Sequence, residues 1–213
     1  MNTKKLTTTG MMSAAAYIAM LLIHIRVTDF LTYDPKDTVI VMGGFILGPV
    51  PAFFMSLVVA LAEMFTVSDT GFIGFVMNFL ASCTFAATAA FVYKKFHTAG
   101  GAVGGLAVGI AASTCFMLLW NYLITPIYMG VPREAVAGML LPVFLPFNLA
   151  KGVLNTALTL MLYKPVITAL RKAGLVEIAR GSGGVRPNIG IYIVAAILLA
   201  TGIMTVLVMK GII

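Results

Sequence analysis

The chain has 213 residues, of which 61% are apolar and only 10% are charged, and its mean hydropathy is +1.05. Soluble domains carry about 25% charged residues. The composition therefore excludes a soluble fold, and with no alternating strand pattern to support a barrel it predicts a polytopic α-helical membrane protein. A net charge of +7 would suggest nucleic-acid binding in a soluble protein. Here membrane topology explains the charge, and no nucleic-acid partner is predicted.

The apolar stretches predict seven membrane spans joined by short loops. They cover residues 6–26, 38–47, 51–67, 72–93, 100–124, 141–163 and 188–208. The second stretch is short, since ten residues of helix rise only about 15 Å, and we expect a short or tilted span there. The predicted fold is all-α, with six spans in residues 1–172, a basic glycine-rich linker at 173–187 and a seventh helix at 188–213.

The distribution of basic residues predicts how the spans are oriented. With the N-terminus in the cytoplasm, nine of the 14 lysines and arginines fall on the inner side, and six of the seven acidic residues fall on or near the outer side. The opposite orientation would place most of the basic residues outside and most of the acidic residues inside. We therefore expect a multi-pass protein of the cell membrane with its N-terminus in the cytoplasm and its C-terminus outside.

The sequence contains no pattern typical of an enzyme. It has no glycine-rich loop followed by Lys-Ser/Thr, no catalytic triad pattern and no zinc-ligand spacing. Cys83 and Cys115 lie inside apolar runs and are interpreted as packing residues. His24 and His97 lie near helix ends and are interpreted as interfacial or solvated. We expect no catalytic activity, no metal site and no cofactor.

A polar motif near the start of the sixth span, LPFNLAKG, is the strongest functional signal. Asn148 and Lys151 are three residues apart and therefore share one face of a helix. A lysine inside the hydrocarbon costs about 2.5–3.5 kcal/mol unless it meets a cavity or a partner. Asn121, Asn78 and Glu63 fall in the outer parts of their own spans, at a similar depth. The topology predicts a pocket open to the outside, lined by amides, one cation and apolar walls.

Several of these polar groups also have a purely structural interpretation. Asn78 is equally well explained by a hydrogen bond to a neighbouring helix. Glu63 fits an interfacial residue or an internal partner of Lys151. Asp34 and Asp37, in the polar loop above the pocket, fit turn and helix-capping residues better than ligand contacts.

A stripe of small residues marks the first span. Ala15 and Ala19 stand one turn apart, which allows another helix to approach closely. The approaching helix belongs either to the same chain or to a separate membrane subunit. Helix physics by itself favours packing within the chain.

The chain also carries a set of motifs that point to one family. They are the Ala15/Ala19 stripe, the loop Tyr33-Asp34-Pro35-Lys36-Asp37, the Gly48-Pro49 turn, Asn78-Phe79-Leu80-Ala81, Asn121-Tyr122 with Pro126-Ile127-Tyr128, and Pro146-Phe147-Asn148-Leu149-Ala150-Lys151-Gly152. Together they resemble the riboflavin-binding S component (RibU family) of energy-coupling factor (ECF) vitamin transporters. The resemblance covers roughly residues 8–172, and the last two motifs are its most specific part.

This resemblance implies a six-helix domain that binds riboflavin near the outer surface of a prokaryotic cell membrane and delivers it for import. It implies that Asn121, Asn148 and Lys151 contact the flavin and that the loop with Tyr33 and Asp37 helps to cover it. Asn78 and Glu63 complete the set of candidate binding residues.

The resemblance further implies that the Ala15/Ala19 face docks to a transmembrane coupling subunit attached to two ATPase subunits. This would reverse the preference for packing within the chain. The seventh span, Glu63 and the loop at 68–74 depart from the family pattern. FMN, another vitamin such as thiamine, folate or biotin, and a non-transport membrane scaffold remain as alternatives.

Overall fold

The computed structural model describes residues 3–28, 30–68, 70–176 and 189–212. Its helices are α1 (Thr3–Leu22), α2 (Lys36–Leu47), α3 (Pro49–Thr66), α4 (Gly71–Phe96), α5 (Ala99–Leu123), α6 (Thr125–Met129), α7 (Arg133–Met139), α8 (Leu145–Lys172) and α9 (Ile189–Met209). In the described part of the chain, seven of these helices correspond to the seven predicted spans, which confirms the all-α membrane fold. From residue 177 onward, the predicted linker lies outside the described residues.

Five helical segments among the described residues are long and apolar enough to cross a membrane. They are Pro49–Thr66, Gly71–Phe96, Ala99–Leu123, Arg133–Lys172 and Ile189–Met209. The protein is therefore a multi-pass membrane protein. Helix α2 has 12 residues and rises about 18 Å, so it is the short span that the sequence predicts.

Two boundaries differ from the sequence prediction. Helix α1 ends at Leu22, and the chain then forms a small antiparallel hairpin between β1 (Ile25–Arg26) and β2 (Thr32–Tyr33). The sixth span begins at Leu145, after a π-helical turn at Leu140–Phe144. Pro142 lies within this turn and Pro146 lies two residues after it, and neither has an N–H to donate, so regular α-helical bonding is interrupted there.

The bundle has two distinct ends. We call the end that carries the β1–β2 hairpin, α6 and α7 the loop end. The opposite end, where α1 and α9 begin and α4 and α8 finish, is the basic end, with Lys4, Lys5, Lys94, Lys95, Lys164, Arg171 and Lys172.

Helices meet very closely in the half of the bundle near the basic end. A Cβ atom at Gly105 would lie 2.7 Å from the carbonyl oxygen of Ala89, and one at Gly109 would lie 2.8 Å from that of Phe85. Only glycine permits this approach of α5 to α4. The surrounding core consists of small and flexible apolar side chains, among them Met12, Ala16, Met42, Ala52, Met55, Ala86, Ala89 and Leu106.

Helix α9 packs along the face of α8 that points away from the helices α4 and α5. Gly202 lies against Leu154 so closely that a Cβ atom would be 2.6 Å from its Cδ2. The side chains of α9 that face inward recur at intervals of four and three residues: Ala195, Leu199, Gly202, Val206 and Met209. This spacing is that of a coiled-coil seam, and it gives α9 a single packed face.

Candidate ligand-binding site

A cavity of about 590 Å³ lies at the loop end of the bundle. Its walls come from the hairpin and from α2, α3, α4, α5, α6, α8 and the π-helical turn. The apolar lining includes Phe30, Leu31, Ile73, Met77, Met117, Trp120, Phe144 and Phe147, and the polar lining includes Asp34, Asp37, Glu63, Asn78, Asn121, Asn148, Lys151 and Asn155. Its size and its mixed lining are typical of a small-molecule site.

Lys36 is the centre of a buried charge cluster beside this cavity. Its side chain is almost fully enclosed, at 1% exposure. The ammonium group donates to Glu63 Oε2 at 2.5 Å and lies 3.6 Å from Asp34 Oδ2. Because Lys36 begins α2 and Glu63 lies in the last turn of α3, the pair ties these two helices together at the loop end.

Lys151 joins the same cluster from α8. Its ammonium group donates to Asp34 Oδ2 at 3.2 Å and lies 3.9 Å from Asp37 Oδ2. The cluster thus contains three carboxylates and two ammonium groups, an excess of one formal negative charge. An ammonium group has three N–H donors, and Lys151 uses one for a hydrogen bond within the described structure.

Asp34 bridges the two lysines and is itself buried. Burial by itself raises the pKa of a carboxyl group, but the ammonium groups of Lys151 and Lys36 outweigh it and hold the pKa of Asp34 below its usual value. The backbone N–H of Lys36 also donates to Asp34 Oδ1 at 3.2 Å. Asp34 is therefore an ionised anchor for both cations.

Helix α4 completes the hydrogen bonding of the other two carboxylates. Asn78 Nδ2 donates to Glu63 Oε1 at 3.0 Å, and Ser82 Oγ donates to Asp37 Oδ1 at 2.5 Å. Asn78 thus makes the interhelical bond that its structural interpretation predicts, while it also lines the cavity. The two interpretations of this residue are compatible.

The two remaining predicted amides are oriented by hydrogen bonds to residues four positions away in the sequence. Asn121, which is 4% exposed, accepts a hydrogen bond at Oδ1 from Thr125 Oγ1 at 2.9 Å. Asn148 Nδ2 donates to the carbonyl oxygen of Phe144 at 2.7 Å, at the end of the π-helical turn. Both amides keep further donor or acceptor capacity for a ligand in the cavity.

Six of the seven predicted binding residues line this one cavity: Asn78, Asn121, Asn148, Lys151, Asp37 and Glu63. Tyr33 is different, because its side chain packs with Val27, Phe147 and Leu154 in the cluster that faces α9. Its hydroxyl has no hydrogen-bond partner among the described residues, and burial raises its pKa. Glu63 is buried and pairs with Lys36, whereas Lys151 pairs with Asp34 and Asp37. The interpretations of Glu63 as an interfacial residue and as the internal partner of Lys151 are therefore wrong.

Sequence reasoning missed three residues of the site. The sequence indicates a polar outer loop at Lys36 and a turn at Asp34, whereas the structure buries Lys36 at the start of α2 and Asp34 just before it. Asn155 is the third residue: it follows Lys151 by four residues, as Lys151 follows Asn148 by three, and this spacing places all three on one helix face. That spacing was a usable signal, whereas nothing local in the sequence indicates the burial of Lys36.

The predicted docking stripe lies on the outer surface of α1. Ala15 is exposed and Ala19 is half-buried, and exposed Ile18 and Leu22 flank them. Within the described structure, Ala15 is open at the surface and Ala19 is only partly covered. The face is thus available to lipid or to another subunit.

Comparisons with known proteins agree on one family. A family model described as "ECF transporter, substrate-specific component" matches residues 4–163. "Riboflavin transporter FmnP" of Bacillus subtilis (strain 168) is 30% identical over 187 residues, which cover 81% of this chain and 98% of that protein. "Riboflavin transporter RibU" of Staphylococcus aureus (strain TCH60) is 27% identical, with coverages of 79% and 93%. A solved structure, titled "Structure and mechanism of the S component of a bacterial ECF transporter", aligns with a TM-score of 0.66 at 26% identity. The alignment covers 79% of this chain and 98% of that one.

Proposed function

Because the chain belongs to the family of substrate-specific (S) components of ECF transporters, we propose that it captures riboflavin from outside the cell for ATP-driven import. The observation that carries this proposal is the convergence of amides from α5 and α8, together with Lys151, on one cavity with aromatic walls. The two similar transporters are both named for riboflavin.

The chemistry of the cavity matches a flavin. An isoalloxazine is a flat aromatic system with a polar pyrimidine edge, and its ribityl chain carries hydroxyl groups. Asn121 and Asn148 offer amide donors and acceptors, and Lys151 offers further N–H donors. Trp120 and Phe144 provide apolar walls against which an aromatic ring can pack.

The binding residues have different roles in this proposal. Asn121, Asn148 and Lys151 contact the flavin directly. Asp37, Glu63 and Asn78 fix the cluster that holds Lys151 and Lys36 in place. Tyr33 acts through the hairpin, which it anchors to the α8–α9 face so that the loop covers the site.

The proposal includes the assembly of the transporter. The Ala15/Ala19 stripe docks to a transmembrane coupling subunit attached to two ATPase subunits, in a prokaryotic cell membrane with the N-terminus inside and the C-terminus outside. Close helix contact requires small side chains at such a stripe.

Ala15→Phe should therefore abolish riboflavin uptake by cells while riboflavin affinity stays unchanged. Uptake at the wild-type rate would contradict docking at this face.

Fluorescence titration of the purified full-length protein with riboflavin tests the binding function. We expect saturable quenching, and we expect Lys151→Ala and Asn148→Ala each to weaken binding about 10- to 100-fold, the range for a lost hydrogen bond that involves a charged group or a buried amide. Leu149→Ala is the matched control, because Leu149 lies on the same helix but is 41% exposed. No saturable quenching by the wild-type protein would refute riboflavin as the ligand.

The same titration separates the alternatives. FMN, thiamine, folate and biotin serve as competitors against bound riboflavin. The carboxylates that line the cavity are the feature a cationic vitamin such as thiamine would need, but Lys36 and Lys151 already pair with them. If thiamine displaced bound riboflavin at a concentration below that of riboflavin itself, the ligand would be thiamine and not riboflavin. A protein that binds none of these ligands would favour a scaffold.

A further inference from the structure

Asn155 is a buried amide in the wall of the cavity with an unused donor. It lies four residues beyond Lys151 on α8, is 1% exposed and lines the cavity. Its Nδ2 group has no hydrogen-bond partner among the described residues. Buried amide groups are normally paired, because an unpaired one loses its hydrogen bonds to water without replacement.

Neighbouring hydroxyl groups fix the orientation of this amide. Thr38 Oγ1 donates to Asn155 Oδ1 at 2.9 Å. The backbone carbonyl of Asn155 is farther from Thr38, at 3.4 Å, and already accepts from Thr159 Oγ1 at 2.6 Å. The single proton of the Thr38 hydroxyl therefore goes to Oδ1. This assignment leaves the two N–H groups of Nδ2 pointing away from Thr38.

Asn148, Lys151 and Asn155 form one polar stripe along the cavity face of α8. With a rise of 1.5 Å per residue, they span about 10 Å along the helix axis. Lys151 and Asn155 both offer N–H donors to this stretch. A ligand that satisfies them must carry acceptors, such as carbonyl oxygens, ring nitrogens or hydroxyl oxygens, spread over a comparable length.

We propose that Asn155 is a further ligand-binding residue, whose Nδ2 group donates to an acceptor atom of the bound molecule, and that Thr38 is the positioning residue that fixes this amide. The proposal rests on the capture of riboflavin proposed above. It extends the site by one turn of α8 toward the middle of the bundle, where the amide selects for ligands with an acceptor at that depth.

Riboflavin titrations of full-length variants test this role. Asn155→Leu removes the donor at similar volume, and we expect the dissociation constant to rise about tenfold or more. Asn155→Ser also removes Nδ2 but stays polar, and it should weaken binding to a similar extent. It replaces the leucine variant in the test if that variant does not fold. Thr156→Val is the matched control, since Thr156 is buried with an unpartnered hydroxyl but does not line the cavity. It should bind riboflavin like the wild type.

Two further measurements separate a binding role from a structural one. Without ligand, Asn155→Leu should melt close to the wild type, because the lost hydrogen bond from Thr38 is offset by the removal of the unpaired Nδ2 group from the interior. Thr38→Val should weaken binding a few-fold, but it should add nothing to Asn155→Leu in the double variant, since Thr38 acts through this amide. Additive losses would overturn the positioning role of Thr38.

The outcomes distinguish this inference from the function on which it rests. A wild-type protein that fails to bind riboflavin overturns the proposed function. Wild-type affinity in the Asn155 variants, together with weakened binding in Lys151→Ala, overturns only the role of Asn155. Weaker binding matched by an equal loss of thermal stability in the ligand-free protein would also overturn it, because Asn155 would then support the fold.

Discussion

Near the basic end, the helices meet over alanine, glycine and methionine, whereas near the loop end they meet over buried charges around a cavity. Close packing in the first region gains stability from dispersion and apolar burial. The second region contains buried ions, whose desolvation lowers the stability and which are tolerated only while each has its partners. The comparison shows that the close-packed half stabilises the helix bundle, whereas the charged half forms the ligand site.

The largest effect on the unfolding free energy is expected from Lys36→Met, which removes one cation from the charged half. It leaves Glu63 and Asp34 buried with fewer cations, and breaking a buried pair in this way costs about 3–5 kcal/mol of unfolding free energy. Chemical unfolding in detergent measures this loss. Lys36→Met/Glu63→Gln should recover most of it, because the unpaired charge is removed while a side-chain oxygen for Asn78 remains.

Lys94→Met is the control for this comparison, since Lys94 is exposed near the basic end. It should change the unfolding free energy by less than about 0.5 kcal/mol. If Lys36→Met behaved like this control, the charged cluster would not hold the loop end together, and the contrast between the two halves would fail.

A smaller effect is expected from Gly105→Ala in the close-packed half. The new methyl group would meet the carbonyl oxygen of Ala89 at 2.7 Å, so α4 and α5 must separate, at a cost of about 1–3 kcal/mol. Gly104→Ala is the matched control on the same helix, because its Cβ would have no neighbour within 4 Å. Equal melting temperatures for the two variants would show that the α4–α5 contact is not tight.

The smallest effect is expected from Gly202→Ala on α9. The added Cβ would lie 2.6 Å from Leu154, but α9 packs through one face only and can shift outward, so we expect a loss of about 1 kcal/mol or less. Riboflavin affinity should stay within about twofold, because α9 contacts the side of α8 that faces away from the cavity. Ala196→Leu, at an exposed position of α9, is the control. A tenfold fall in affinity for Gly202→Ala alone would mean that α9 acts on the site through Tyr33.

Much of the site followed from local sequence patterns. Helical periodicity places Asn148 and Lys151 on one face, and the alternation of spans brings Asn121, Asn78 and Glu63 to the same end of the bundle as α8. The same periodicity also places Asn155 on this face. The cavity confirms that these positions converge, while their contact with a flavin stays a prediction.

The partners of the charged groups did not follow from the sequence. Lys36 and Glu63 are 27 residues apart, and Lys151 and Asp34 are 117 residues apart. Hydropathy assigns each residue to a depth in the membrane, but it does not tell which of several carboxylates at one depth reaches which lysine. A lysine at the edge of a polar loop also looks solvent-exposed until the fold encloses it.

The sequence by itself determined the class of protein, the seven long helical segments and the polar face of α8, because hydropathy and helical spacing are properties of short segments. Only the tertiary structure decided that Lys36 is buried, that Asp34 bridges both lysines and that Tyr33 faces α9 instead of the cavity. These features depend on how α2, α3, α8 and the hairpin pack together. Burial and charge pairing are set by atoms that are distant in the chain, and no local pattern encodes them.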